Sequence, residues 1–278
     1  MLTNHKLLID KNCPMCSIYS SAFTRVGWID SNCTLPYQSM EASAIKEIDQ
    51  HKARNEIAMI DLESKKVSYG VESLIAIVMQ NYPRLRQFVA LPIIYKPLTV
   101  MYKFISYNRK VIAPSKLSSN ERPCNPDFIL SYRWMYILFV AIATAFIVNN
   151  FTAQLFPHFG WPHNLTTELA LCFGQIMWQA IAAQLIIGQD KTNYLGHMST
   201  VSMMGALLLL PITLLLTLVS FSVYVKLLLF FSVIGFKFFE HIRRCNLLGI
   251  SSWMTVSWVV YRVCVLTTLI LLIHFNFI

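Results

Sequence analysis

Two cysteines, Cys13 and Cys16, stand with Asp10 in the stretch Asp10-Lys11-Asn12-Cys13-Pro14-Met15-Cys16. The run Lys6-Leu7-Leu8-Ile9 before it is apolar and strand-like. After it, Ile18, Tyr19, Ala22, Phe23 and Val26 recur at the spacing of one helix face. The pair therefore sits where a strand hands over to a helix. Free N–H groups at a helix N-terminus favour negative charge, and a thiolate placed there ionises below the range of a free cysteine. This predicts Cys13 as an exposed attacking thiol and Cys16, one turn on, as the thiol that resolves a mixed disulfide. Pro14 suits the first helical turn, where a missing N–H costs nothing. Asp10, if it lies beneath the pair, can accept or deliver a proton; capping a turn is its alternative role. A structural cysteine pair and half of a zinc site are the other readings of Cys-x-x-Cys. Zinc asks for four ligands, and no second Cys-x-x-Cys or closely spaced histidine accompanies this one. No cofactor and no metal is expected.

The elements around the pair are short. Strands are predicted over residues 6–9 and 33–37, with a helix over 16–28 between them and another over 41–51. Two further strands, 56–60 and 66–69, flank the polar turn Asp61-Leu62-Glu63-Ser64-Lys65, and a helix over 72–80 follows Gly70. This β-α-β-α-β-β-α order is that of a thioredoxin-like α/β domain. Thioredoxins carry a cis-proline before the third strand, close to the cysteines. Here Asn55 precedes Glu56 with no proline near, which speaks against a thioredoxin-style grip on an extended peptide. Residues 83–113 are basic and partly apolar, and suit either a helical cover on the sheet or an amphipathic segment resting on anionic lipid.

These residues resemble the DCC family of predicted thiol-disulfide oxidoreductases, named for an Asp-x-x-Cys-x-x-Cys motif that Asp10, Cys13 and Cys16 match. Leu35-Pro36-Tyr37-Gln38-Ser39 is similar to the family's second-strand segment. Ile60-Asp61 with Val67-Ser68-Tyr69-Gly70 is similar to its hairpin, and Ser73-Leu74 to the opening of the next helix. Pro97-Leu98 with the stretch from Tyr102 to Lys110 resembles its closing helix, which ends in an Asn-Arg pair, here Asn108-Arg109. Lys11 and Asn12 depart from the glycine and acidic residues frequent in the family, and Ser106 stands near its usual alanine. The resemblance covers residues 5–113. It implies a thioredoxin-like fold and redox-active cysteines, and names no substrate.

Composition divides the 278 residues. Residues 1–131 hold 16 of the 23 Lys and Arg and 11 of the 14 Asp and Glu, leaving 7 and 3 for the remainder. The reading is a domain over 1–113, a Pro- and Ser-containing linker over 114–131 with Cys124 incidental to it, and an all-α transmembrane domain over 132–278. Five spans are expected, over 132–150, 168–188, 199–219, 222–242 and 253–276, each long enough for about 30 Å of hydrocarbon. The net charge of +9 reflects basic membrane flanks, and no aromatic–basic nucleic-acid motif appears. No signal peptide is read at the start. Lys191, Arg243 and Arg244 fall on the side of the first domain, while 151–167 lacks Lys and Arg. The expected topology is a bacterial inner-membrane protein with a cytoplasmic first domain and the C-terminus outside. A permanent disulfide is disfavoured in that reducing compartment.

Polar residues inside spans are functional candidates. Gln175 and Gln179 share a face, Lys237, Glu240 and His241 line another, and Arg262 is placed to meet Glu240. Interhelical hydrogen bonding and snorkelling are the alternative explanation. The resulting expectation is a membrane-tethered thiol-disulfide oxidoreductase with Cys13, Cys16 and Asp10 as its site. Its expected partners are the lipid bilayer and an unidentified thiol or disulfide substrate. The alternative is a transporter or partner-binding scaffold carrying a redox-sensing or recognition domain.

Overall fold

The computed structural model describes residues 4–114, 124–155, 159, 164–188 and 191–275. The chain divides into two compact units, Met1–Tyr132 and Arg133–Ile278.

In the first unit, strand alternation sends Leu7 and Leu8 of β1 (His5–Ile9) to opposite faces, and both are buried. A strand apolar on both faces belongs at the centre of a covered sheet. The sheet order is β2-β1-β3-β4, with β2 at Thr34–Pro36, β3 at Ala58–Asp61 and β4 at Val67–Tyr69. β1 runs parallel to β2, with Leu8 opposite Leu35, and antiparallel to β3, with Leu7 opposite Met59; β4 is antiparallel to β3. Leu7 packs with Ile29, Met59 and Ile77, joined by Tyr19 and Phe23 of α1 (Pro14–Arg25). Leu8 packs with Leu35, Ala42, Ile48, Ala53 and Ile60. Ala42 comes from α2 (Met40–Ala44) and Ala53 from α3 (Gln50–Asn55), while Ile77 comes from α4 (Val71–Asn81).

The helix expected over 41–51 is two helices. Ile45 is extended, at φ −76° and ψ 101°. Asp49 then starts α3 by accepting from the His51 and Lys52 N–H groups at 2.9 and 3.1 Å, an aspartate N-cap. Gly70 opens α4 at φ +59°, and a Cβ there would lie 2.2 Å from a Glu56 carboxylate oxygen. The positive φ is what favours glycine here, since the Glu56 carboxylate is the mobile end of its side chain.

After the short α5 (Arg86–Val89) the chain turns sharply: Pro83–Val89 and Pro92–Ile112, the latter being α6, meet at 89°. Pro92 causes the break, because proline pushes the preceding residue out of the helical region. Leu91 accordingly sits at φ −62° and ψ 129°. Tyr102, Ser106 and Arg109 form one stripe of α6, directed at the chain entering β3. Tyr102 accepts from the Ile57 N–H at 2.8 Å, and Ser106 donates to the Asn55 carbonyl at 2.6 Å. Arg109 donates to the carbonyls of Arg54, Asn55 and Cys124 at 2.7, 3.1 and 3.1 Å. Tyr102 also packs on the Leu7 face, so α6 covers the sheet.

Half of the expected linker, 115–123, lies outside the described residues. Cys124 is not incidental: it is buried within the cluster on the Leu8 face. Asp127 pairs with Arg54 and accepts from Asn55 at 2.6 Å. These contacts bind 124–127 to α3.

The second unit consists of α7 (Leu130–Leu155, which starts just before the division), α8 (Leu165–Ile186), α9 (Lys191–Leu218), α10 (Val223–Leu247) and α11 (Trp253–His274). Among the described residues, α7, α8, α9 and α11 are long and apolar enough to cross a membrane, so the chain is a membrane protein. α10, the fourth expected span, is long enough, but Lys226, Lys237 and Glu240 fall within its apolar stretch and it is not among the four. One apolar cluster joins Ile137, Ala183, Leu195 and Met254; another joins Phe151, Leu209 and Val233.

Ile77 is completely buried and Ile18 is 69 % exposed. Ile77→Ala should therefore lose about 2–5 kcal/mol of stability, whereas Ile18→Ala should stay within about 0.5 kcal/mol of wild type. Urea-dependent alkylation of the buried Cys33, quantified by mass spectrometry, reads both; equal midpoints would refute the assignment of Ile77 to the core.

Candidate functional site

Cys13 is the N-cap of α1 and Pro14 its first residue, with Cys13 at φ −95° and ψ 113°. The approach is fixed by Asp10. Its carbonyl accepts from the Cys13 N–H at 3.1 Å. One side-chain oxygen accepts from the Asn12 N–H at 3.0 Å and from Gln38 at 2.7 Å, and Lys110 lies 3.4 Å from the other. Bonding to the N–H two residues on is the aspartate-turn geometry. Asp10 thus ties the end of β1 to the loop after β2 and to the end of α6.

These ties bury the pair. Cys13 is 1 % exposed and Cys16 is 6 % exposed, both as free thiols. The expectation of an exposed Cys13 is overturned. Gln38 and Lys110, both reaching Asp10, draw their segments onto the turn that carries it. A cavity of about 200 Å³ reaches Cys16, together with Asp10, Tyr19, Glu56, Tyr102 and Arg109, while Cys13 lies outside its lining.

The two thiols differ electrically. Cys13 is lowered to about 6, chiefly by hydrogen bonding from the Cys16 thiol. The Cys16 N–H and the Arg109 charge act in the same direction, against burial and the Asp10 charge. Cys16 is raised far above its ordinary range, because its thiol donates to Cys13 and because it is buried. Tyr102 is pushed up to about 12 by burial and remains a neutral hydroxyl. Hydrogen bonding within the pair thus favours the thiolate at Cys13 and the thiol at Cys16, the asymmetry that thiol–disulfide exchange uses. Among the described residues, no group of His, Cys, Asp and Glu is arranged to hold a metal ion.

Sequence reasoning did not find Arg109, Lys110 or Gln38 as parts of this site. The resemblance pointed at Asn108-Arg109 without a role, and the pairing of Arg109 with residues 54 and 55 depends on the folded chain.

In the second unit, Gln179 accepts from Tyr194 at 2.7 Å, and Tyr194 faces His241 at 3.1 Å. His241 in turn lies 2.9 Å from the Thr255 hydroxyl. The expected Arg262–Glu240 pair does not form. Glu240 is occupied by Arg243 and Arg244 at 2.6 and 2.7 Å, one turn along its own helix. Arg262 lies over the Trp258 ring, 5.5 Å from its centre.

Iodoacetamide modification of Cys13 should be slow but should reach half its plateau rate near pH 6. Cys16→Ala, which removes the donor, should move that midpoint up toward the ordinary cysteine range of about 8.5. A wild-type midpoint above pH 8 would contradict the thiolate assignment.

Comparison with protein-family models, with curated proteins and with solved structures finds no match to this chain.

Proposed function

We propose that the chain is a membrane-anchored thiol–disulfide oxidoreductase whose first unit is thioredoxin-like, as its resemblance to the DCC family implies. The observation that carries this reading is the asymmetry of the pair: Cys13 lowered to about 6 at a helix N-cap, beside Cys16 held as a thiol. The sheet adds support, since a parallel β1–β2 pair joined by α1 and followed by an antiparallel β3–β4 pair suits that fold. The basic loops favour a cytoplasmic first unit in a bacterial inner membrane.

The Cys13 thiolate attacks one sulfur of a substrate disulfide, forming a mixed disulfide and releasing the other sulfur as a thiolate that takes up a proton. Cys16 then gives up its proton and attacks the Cys13 sulfur. This closes the Cys13–Cys16 disulfide and releases the second substrate thiol, two electrons having passed to the substrate. Asp10 and Glu56 line the cavity with Cys16 and are the carboxylates available to receive its proton. A cytoplasmic dithiol or two monothiols return the pair to its reduced form.

The substrate class is narrowed by what α6 already occupies. The carbonyls of Arg54 and Asn55 and the N–H of Ile57 are bonded to Arg109, Ser106 and Tyr102. The backbone beside the cysteines is therefore spent, and a peptide cannot add to it as a strand. The 200 Å³ cavity at Cys16 has the size of a small disulfide and not of a folded protein, and the packing over Cys13 must open for attack.

Redox titration of the full-length protein in membranes, read by alkylation and mass, should give a reversible two-electron transition of Cys13 and Cys16. Cys16→Ser should trap a mixed disulfide on Cys13, and Cys13→Ser should abolish exchange while leaving the membrane unit folded. Absence of an intramolecular disulfide at every poise would overturn the proposal. The polar interior of the membrane unit favours a second reading, a scaffold or transporter, under which Cys13→Ser is tolerated.

A further inference from the structure

Between the two apolar clusters of the second unit lies a polar layer. Lys237 of α10, Arg262 of α11, and Glu168 and Gln175 of α8 line one cavity of about 80 Å³. Gly205 of α9 makes room for the lysine: a Cβ there would lie 2.3 Å from the Lys237 Cδ, so the stem crosses the bare glycine. Gln175 is 6 % exposed, and neither atom of its amide has a partner among the described residues. The Nε of Arg262 and the hydroxyl of Thr144, which also faces the cavity, are in the same condition.

Charge within this layer does not balance. Two cations face one carboxylate, and neither Lys237 nor Arg262 forms an ion pair among the described residues. Glu168 is buried and accepts from Thr152 at 3.0 Å. Basic groups thus outnumber carboxylates in this layer inside a membrane bundle, where a charge without a counter-ion is costly and a bound anion would hold both bases in their charged form. Water can bond the amide, but it cannot supply the missing negative charge.

A second cavity of about 480 Å³ adjoins the first, and both are lined by Val148, Glu168, Leu171 and Arg262. The remainder of its wall is mostly apolar, including Leu227, Phe230, Leu266 and Ile270, the last two half exposed, so it is a groove open at the surface of the bundle. A small polar chamber lined by two bases thus opens beside a large apolar groove. The geometry points to a binding site for an acidic amphiphile, a single-chain carboxylate whose headgroup meets Lys237, Arg262 and Gln175 and whose hydrocarbon chain lies in the larger groove. A monoanion complements two bases that face a single carboxylate, and the 80 Å³ chamber suits a carboxylate headgroup. This site is separate from the cysteine pair and does not depend on its chemistry.

Cys172 lines the polar chamber and serves as a built-in reporter. The full-length protein in phosphatidylcholine nanodiscs is titrated with oleate below its micellar concentration, and N-ethylmaleimide labelling of the Cys172 peptide is followed by mass spectrometry. Oleate at about ten times its Kd should slow labelling roughly tenfold, in step with occupancy. Oleyl alcohol, with the chain but no charge, and acetate, with the charge but no chain, should leave it unchanged. Radiolabelled oleate should bind Lys237→Gln roughly tenfold or more weakly and Glu168→Gln at least as tightly as wild type. Equal protection by oleyl alcohol, or equal loss in both variants, would overturn the site. Protection by phosphatidylglycerol and not by oleate would overturn the carboxylate assignment. Because the labelling arms use the wild-type chain, the inference can fail even if a variant does not fold.

Discussion

The first unit depends on one buried cation. Arg109 is 7 % exposed and spends its guanidinium on three backbone carbonyls from two distant parts of the chain. A guanidinium presents several donors in a rigid plane, which a lysine does not. One side chain can therefore fasten α6 to the segment entering β3 and to the returning segment at Cys124. Its charge also faces the cysteines and favours the ionised form of Cys13. Fold and site share this residue: the contacts that close the sheet's cover also shape the ionisation of the nucleophile.

Asp10 plays the complementary part. It is buried and bonded to its own turn, to Gln38 and to Lys110. Its charge works against the thiolate while its hydrogen bonds build the turn that presents it. The thiolate is thus the outcome of opposed effects, with the Cys16 donor and Arg109 outweighing burial and Asp10. The membrane unit follows another logic. One end of α10 is internally matched, Glu240 lying between Arg243 and Arg244 with His197 beside Arg244 at 3.2 Å. The middle of the same helix presents Lys237, which has no such match among the described residues.

What could be read from the sequence was local. The apolar run of β1, the cysteines at the strand–helix junction, the break at Gly70 and the long apolar helices each have their signal within a few residues. Asp49 carried an N-cap signal that would have divided the helix expected over 41–51, but the apolar residues on either side masked it. What could not be read was set by packing. Cys13 was expected at the surface as the attacking thiol of the pair, and the segments drawn to Asp10 bury it. Cys124 looked incidental until Arg109, from α6, met its carbonyl. Arg262 and Glu240 were matched by charge and depth, but two arginines one turn from Glu240 had the shorter path.

The burial of Cys13 bears on how such a pair would age. A cysteine ionised at neutral pH is the form that peroxide attacks, and repeated attack carries sulfur through sulfenic acid to sulfinic and sulfonic acids, the last two largely irreversible. Cys13 combines that ionised state with 1 % exposure. An oxidant must enter before it can reach the sulfur at all. If one oxygen is delivered, Cys16 stands one helical turn away, and its thiol condenses with the sulfenic acid, expelling water and forming a disulfide that reduction can undo. Close packing around the pair therefore limits damage as well as access, and favours arrest at a recoverable oxidation level.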